Sequence, residues 1–257
     1  MARNRGELRI VADAASLFQA AAVEFARAAE ASIESKGSFS VALSGGSTPR
    51  GMFAVLAGDG FRDRVRWDKV FFFWGDERHV PPDHPDSNFR MAREALLSHL
   101  SLRDDQVFRI HGENADAAAA AYEYEGTVRR FFGVADGRFP RFDLVLLGMG
   151  PDGHTASLFP GTKALLEQTQ AVVANWVGKF NTHRITMTAP AINAAARVLF
   201  LISGEDKAPA LKAVLEGPLE VSQLPAQLIQ PRDGTLVWLC DPTAAHLLQS
   251  NRGPENE

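Results

Sequence analysis

Strand-length runs of apolar residues, each followed by a helix-like stretch, most limit the folds open to this chain. Val70-Phe71-Phe72-Phe73-Trp74, Phe142-Asp143-Leu144-Val145-Leu146-Leu147, Val198 to Ile202 and Leu236 to Leu239 lack the polar alternation of a strand with one wet face. A strand apolar on both sides is buried on both sides, as in a parallel sheet sandwiched between helices. The whole chain reads this way. Strands are expected at about Leu8–Val11, Phe39–Leu43, Val70–Trp74, Phe142–Leu147, Arg184–Thr188, Val198–Ile202 and Leu236–Leu239, with a short edge strand at Val107–Ile110. Helices are expected at about Asp13–Ser35, Pro49–Ala57, Ser87–Leu100, Ala115–Phe132, Ala191–Ala195 and Glu205–Leu215. The fold class is therefore α/β: a single three-layer α/β/α sandwich around a mainly parallel sheet.

Composition agrees with that reading. With 257 residues, 46 % hydrophobic and 23 % charged, the chain has ample material for one core. Residues 1–248 are expected to form a single domain, with a surface connection at Gly217–Gln223 and a disordered tail over 249–257. A formal charge of −4 argues against a general nucleic-acid or anionic-membrane surface, so positive potential for an anionic ligand must be local. The opening Met1-Ala2-Arg3-Asn4-Arg5-Gly6 leads into a strand-like run and not an apolar signal segment. No apolar stretch is long enough for a bilayer span, and the single cysteine, Cys240, precludes an intrachain disulfide framework. A cytoplasmic location is expected.

Ligands of such sheets sit beyond the carboxyl ends of the strands, and that rule sorts the polar residues. Ser44-Gly45-Gly46-Ser47-Thr48-Pro49 follows one strand and enters a helix. Ser47 or Thr48 is expected as N-cap, with Pro49 at the first helical position. Glycines, hydroxyls and the positive end of a helix converge there, which suits a phosphate or carboxylate better than a plain capped corner requires. The spacing is not that of a nucleotide P-loop, which points to a small phosphorylated metabolite. Asp76-Glu77-Arg78-His79 follows the aromatic strand, and Arg78 can contact an anion or polarise a carbonyl. Gly148-Met149-Gly150-Pro151-Asp152-Gly153-His154 follows Leu147, and Gly204 to Lys207 follows Ile202. His154, with Asp152 near enough to orient it, suits proton abstraction from water, although the same residues are compatible with a surface histidine in a turn. Arg184 and Lys207 offer further positive charge, each also readable as an ordinary surface cation.

Other chemistries fit less well. Gly148-x-Gly150-x-x-Gly153 matches a dinucleotide fingerprint, but Asp152 would put negative charge at the pyrophosphate, and Pro160-Gly161 ends the following stretch too soon for the usual helix. Neither Ser44 nor Ser157 lies in a nucleophile elbow. His79, His84 and Asp86 are separated by Pro81, Pro82 and Pro85 and lack helical metal-ligand spacing. No metal and no cofactor are expected.

Taken together, Ser44 to Pro49, Asp76-Glu77-Arg78-His79-Val80-Pro81, Asp86-Ser87-Asn88, Gly148 to Pro160 and Arg184-Ile185-Thr186-Met187-Thr188 resemble the glucosamine-6-phosphate isomerase/6-phosphogluconolactonase family. The resemblance runs from about Ala12 to Leu248. Asp-Glu-Arg, where the deaminases typically have Asp-Glu-Tyr, and the Ser157-Leu158-Phe159-Pro160 ending are of the lactonase kind. This resemblance implies the sugar-phosphate isomerase/deaminase-like fold and metal-independent hydrolysis of 6-phospho-D-glucono-1,5-lactone, the second step of the oxidative pentose phosphate pathway. It further implies His154 as base with Asp152 orienting it, Arg78 or nearby backbone N–H groups at the oxyanion, and Asp76 as a further catalytic carboxylate. The phosphate would rest on Ser44, Gly45, Gly46, Ser47 and Thr48, with Arg184 and Lys207 as cations. The expected partner is a small sugar-phosphate lactone, without nucleic acid or membrane, bound by a monomer or small homo-oligomer. A deaminase/isomerase of the same fold and a non-catalytic sugar-phosphate sensor are the alternatives. Sensors of this fold usually carry a DNA-binding helix pair, and no basic helical pair precedes residue 38.

Overall fold

The computed structural model describes residues 6–135 and 137–249. Its strands are β1 (Glu7–Ile10), β2 (Phe39–Leu43), β3 (Val70–Trp74), β4 (Asp76–Arg78), β5 (Leu144–Leu147), β6 (Val172–Val177), β7 (Thr182–Met187), β8 (Arg197–Ile202) and β9 (Thr235–Cys240). Its helices are α1 (Ala14–Lys36), α2 (Ser47–Ala57), α3 (Asp59–Arg62), α4 (Asn88–Ala95), α5 (Ala117–Phe132), α6 (Ala189–Ile192), α7 (Ala208–Glu216) and α8 (Pro242–Ala245). A six-stranded sheet has the order β1-β9-β8-β5-β2-β3, with every pairing parallel. Among the described residues no helix is long and apolar enough to cross a membrane.

The aromatic strand β3 shows why this sheet needs cover on both faces. Successive side chains of a strand point to opposite faces. Phe72 stacks on Trp67, which meets Phe25 of α1, so one face feeds the α1 side. Phe73 points the other way, against Phe108, Phe131, Phe132 and Phe142, beneath α5. Phe25, Phe72, Phe73 and Phe142 are all fully buried, and each such ring contributes about 2–3 kcal/mol through area removed from water.

A second sheet was not legible in the sequence. β4, β7 and β6 form an antiparallel three-stranded sheet in that order. Of Arg184 to Thr188, expected beside the parallel strands, Arg184 to Met187 belong here as part of β7, and Thr188 stands at the N-cap of α6. Asp76 to Arg78, read as a loop, is β4. The two sheets meet at Gly75: its N–H donates to Leu43 O of the parallel sheet at 2.8 Å, and its carbonyl accepts from Met187 N of the antiparallel one at 2.7 Å.

Local expectations are corrected in two places. Val107 to Ile110 is not a strand; Val107 makes a single bridge to Phe72. Helix α2 starts at Ser47, and its N-cap is Gly46, so Ser47, Thr48 and Pro49 occupy its first turn and neither hydroxyl caps it. Asp13 caps α1 by accepting from Ser16 N, and Ser87 caps α4 by accepting from Arg90 N. The expected tail lies, apart from Gln249, outside the described residues.

Candidate active site

Strand β4 and the loops after β2, β5 and β8 converge on one cavity of about 230 Å³. Its lining includes all of Ser44 to Pro49, then Asp76, Arg78, Gly148 to Pro151, His154, Ser203 and Lys207. The strand order places β5 between β2 and β8, which brings the His154 loop between the Ser44 loop and the Lys207 segment.

The Ser44–Thr48 loop is built to receive an acceptor-rich group. Gly46 has φ of 107°, a conformation that side chains rarely adopt, and it turns the chain from β2 into α2. With no side-chain cap, the first-turn N–H groups have no intrahelical partner. The Ser44 hydroxyl oxygen is buried, lines the cavity and has no hydrogen-bond partner. Lys207 reaches the same cavity from the segment after β8, with Nζ 2.7 Å from Asp206 Oδ2.

His154 and Asp152 form a close pair. His154 Nδ1 lies 2.5 Å from Asp152 Oδ1, an arrangement that suits the tautomer in which Nδ1–H donates to the carboxylate and Nε2 is the basic nitrogen. Gly150 is required beneath them: a Cβ there would overlap the imidazole ring. Phe159 stacks on that ring with centroids 4.0 Å apart. Burial pushes the His154 pKa below the ordinary histidine value, against the opposing pull of Asp152. Burial also works against the Asp152 charge, but hydrogen bonds from His154 and Lys179 outweigh it and bring its pKa down to about 2.

The antiparallel sheet supplies the opposite wall. Registers Asp76↔Thr186, Arg78↔Arg184 and Asn175↔Arg184 put these five side chains on one face. Ser157 Oγ donates to Asp76 Oδ2 at 2.6 Å, Ser157 N donates to Thr186 Oγ1 at 3.2 Å, and Asn175 Nδ2 donates to Ser157 O at 2.9 Å. Asp76 is thereby tied to the His154 loop while facing the cavity. Glu77 points away and is saturated: it accepts from the N–H of Arg78, Asn88 and Phe89 and from Ser87 Oγ. Burial raises its pKa and those backbone donors oppose the rise. Its work is to hold the start of α4 against β4, not to reach a ligand.

Arg78 faces the cavity, with Nη1 3.2 Å from Asp86 O. Arg184 is its cross-strand neighbour but does not line the cavity, and it is not near a strand end as expected but inside β7. Its guanidinium lies 5.3 Å above the Phe180 ring, and burial together with the Arg78 cation lowers its pKa. Sequence reasoning also missed Lys179, whose Nζ is 3.1 Å from Asp152 Oδ2. Among the described residues no three histidine, cysteine, aspartate or glutamate side chains gather as metal ligands.

The family described as glucosamine-6-phosphate isomerases/6-phosphogluconolactonase matches residues 12–238. A 6-phosphogluconolactonase of Nostoc sp. is 42 % identical over 215 residues, covering 84 % of this chain and 87 % of its own. One from Synechocystis sp. is also 42 % identical, over 217 residues, covering 84 % of this chain and 88 % of its own. The solved 6-phosphogluconolactonase of Trypanosoma cruzi superposes with a TM-score of 0.84 at 29 % identity, covering 95 % of this chain and 97 % of that one. The residues lining the cavity all lie within the matched span, and the chain belongs to the glucosamine-6-phosphate isomerase/6-phosphogluconolactonase family.

Proposed function

We propose that this protein hydrolyses 6-phospho-D-glucono-1,5-lactone to 6-phospho-D-gluconate, as the names of its relatives suggest, in the oxidative pentose phosphate pathway. The observation that carries the reading is an imidazole oriented by Asp152 and facing the same cavity as an anion-receptive helix start. In this reading His154 Nε2 takes a proton from water while the water oxygen bonds to C1 of the lactone. Arg78 stabilises the oxyanion that forms on the former carbonyl. Collapse breaks the bond between C1 and the ring oxygen, which takes the proton back from the imidazolium. Asp76, fixed by Ser157, accepts a hydrogen bond from a sugar hydroxyl. The 6-phosphate rests on Ser44 to Thr48 with Lys207 beside it, and Arg184 adds positive potential from behind Arg78. Holding the phosphate fixes C1 against the base, so remote binding energy lowers the barrier.

The test compares acid release from freshly generated 6-phosphogluconolactone and from unphosphorylated gluconolactone, each corrected for spontaneous hydrolysis. Two charge-assisted hydrogen bonds to phosphate at about 1.5–3 kcal/mol each predict a kcat/KM preference of about a hundredfold or more. Equal kcat/KM for both lactones overturns the phosphate assignment.

A further inference from the structure

The antiparallel sheet does more than wall the cavity; the tip of its β6–β7 hairpin reaches the catalytic loop at two points. The turn runs through Gly178–Phe180 and closes at Asn181, which adopts φ of 48°, a conformation that asparagine tolerates better than most residues. Lys179 spans to Asp152 Oδ2 at 3.1 Å, on the carboxylate oxygen that His154 leaves free. Phe180 packs edge-on against Phe159, with centroids 5.6 Å apart, and Phe159 is the ring stacked on His154. Lys179 Nζ and the Arg184 guanidinium both approach the Phe180 ring, at 5.5 and 5.3 Å. An ordinary hairpin tip would leave its lysine and its aromatic in water. Here both stay partly exposed, yet each touches one of the two partners of one imidazole.

We propose that Lys179 is a positioning residue that clamps the Asp152 carboxylate from its far side and so fixes the orientation of His154. A carboxylate gripped through one oxygen only can rotate about its last bond and lose the Nδ1 contact. Gripped through both, it is held to one plane, and Nε2 points into the cavity. The clamp also carries charge. Asp152 and, from β4, Asp76 favour the imidazolium, while Lys179 disfavours it; Arg78 and Lys207 are the cations lining the remaining wall. Removing the Lys179 cation therefore raises the His154 pKa and moves the acid limb of kcat/KM to higher pH.

This inference rests on His154 being the base, and the experiment separates the two. The His154 ring resonance, assigned by its loss in His154→Asn, is titrated by NMR in wild type, Lys179→Met and Lys179→Arg, beside the pH profile of kcat/KM. Because Lys179 is 58 % exposed, solvent screens its charge, and Lys179→Met is expected to raise the His154 pKa by about half a pH unit. Well below that pKa, activity then falls about threefold more than it does near pH 8, while Lys179→Arg, which keeps the charge, stays close to wild type. A Lys179→Met protein with an unmoved His154 titration overturns the clamp. A moved titration with an unmoved acid limb supports the clamp and overturns His154 as the base. An exposed lysine is a mild substitution for folding, and an unchanged Tm in both variants confirms that the titration reports the site.

Discussion

Both ends of the parallel sheet are rich in charge, yet the two ends use it in opposite ways. At the amino ends of the strands the clustered charges are met by partners within the chain. Glu24 of α1, only 8 % exposed, accepts from Arg9, Arg27 and Arg197. Asp143 accepts from Ser40 N, from Ser40 Oγ and from Lys36. Arg141 donates to Ala194 O and Asp233 O, and the buried Gln106 donates to Trp67 O and Val70 O. At the carboxyl ends the Ser44 hydroxyl has no partner and no protein group meets His154 Nε2 among the described residues. Burying polar groups without partners costs free energy, so a fold keeps them only where something else supplies the missing bond. A charge cluster alone does not mark a site; here the mark is an unmet hydroxyl that lines a cavity beside cations and an imidazole.

That contrast breaks if a carboxyl-end substitution behaves like an amino-end one. The largest effect is expected for His154→Asn, which should lower kcat by about two to four orders of magnitude while leaving Tm within a degree or two. The wild-type profile belongs to the same test. A base works only when neutral, so kcat/KM falls as pH drops through the His154 pKa, and burial places that limb below the ordinary histidine value near 6.5. A folded His154→Asn enzyme with full turnover removes the histidine from the chemistry.

Next in size is Glu24→Ala, which strips three arginines of their shared carboxylate. Breaking a buried charge pair costs about 3–5 kcal/mol, and the partial exposure of these arginines puts the expected loss near the lower value. Denaturant unfolding should show this loss while kcat/KM stays at the wild-type value. A fall in kcat/KM without a fall in stability would mean that the amino end is a functional site after all. The smallest effect is expected for Ser44→Ala. Removing an unpartnered hydroxyl should leave stability unchanged or slightly raised, yet KM should rise several-fold for one lost hydrogen bond of about 1 kcal/mol to the phosphate. An unchanged KM with lowered Tm would reclassify Ser44 as structural.

The parallel sheet was readable because its strands announce themselves: Val70 to Trp74 and Val198 to Ile202 cannot face water on either side. The ligand loops followed from their position after those strands. The antiparallel sheet was not readable, for two physical reasons. Its strands carry mixed residues, such as Asn175 and Trp176 in β6 or His183 and Arg184 in β7, which show no apolar period. Strand β4 is only Asp76–Arg78, and its partner lies more than a hundred residues away. Lys179 was missed for the same reason, since nothing local in Gly178-Lys179-Phe180 points to Asp152. At Gly46 the error was one of phase: Ser47 and Thr48 were assigned to the cap because hydroxyls prefer it, whereas here they are already helical and free to face a ligand.

The junction at Gly75 has a consequence for how the enzyme comes into being. Its carbonyl can meet Met187 only after the intervening chain, including all of β5 and β6, has been made and folded back. Closing so long a loop is entropically late, whereas β2 and β3 pair across a much shorter span. In refolding, Trp74 should therefore reach its native emission before activity returns. During synthesis the chain can bury its first strands long before Asp76, Ser157 and Lys179 meet, so competence is conferred in the last stretch of assembly.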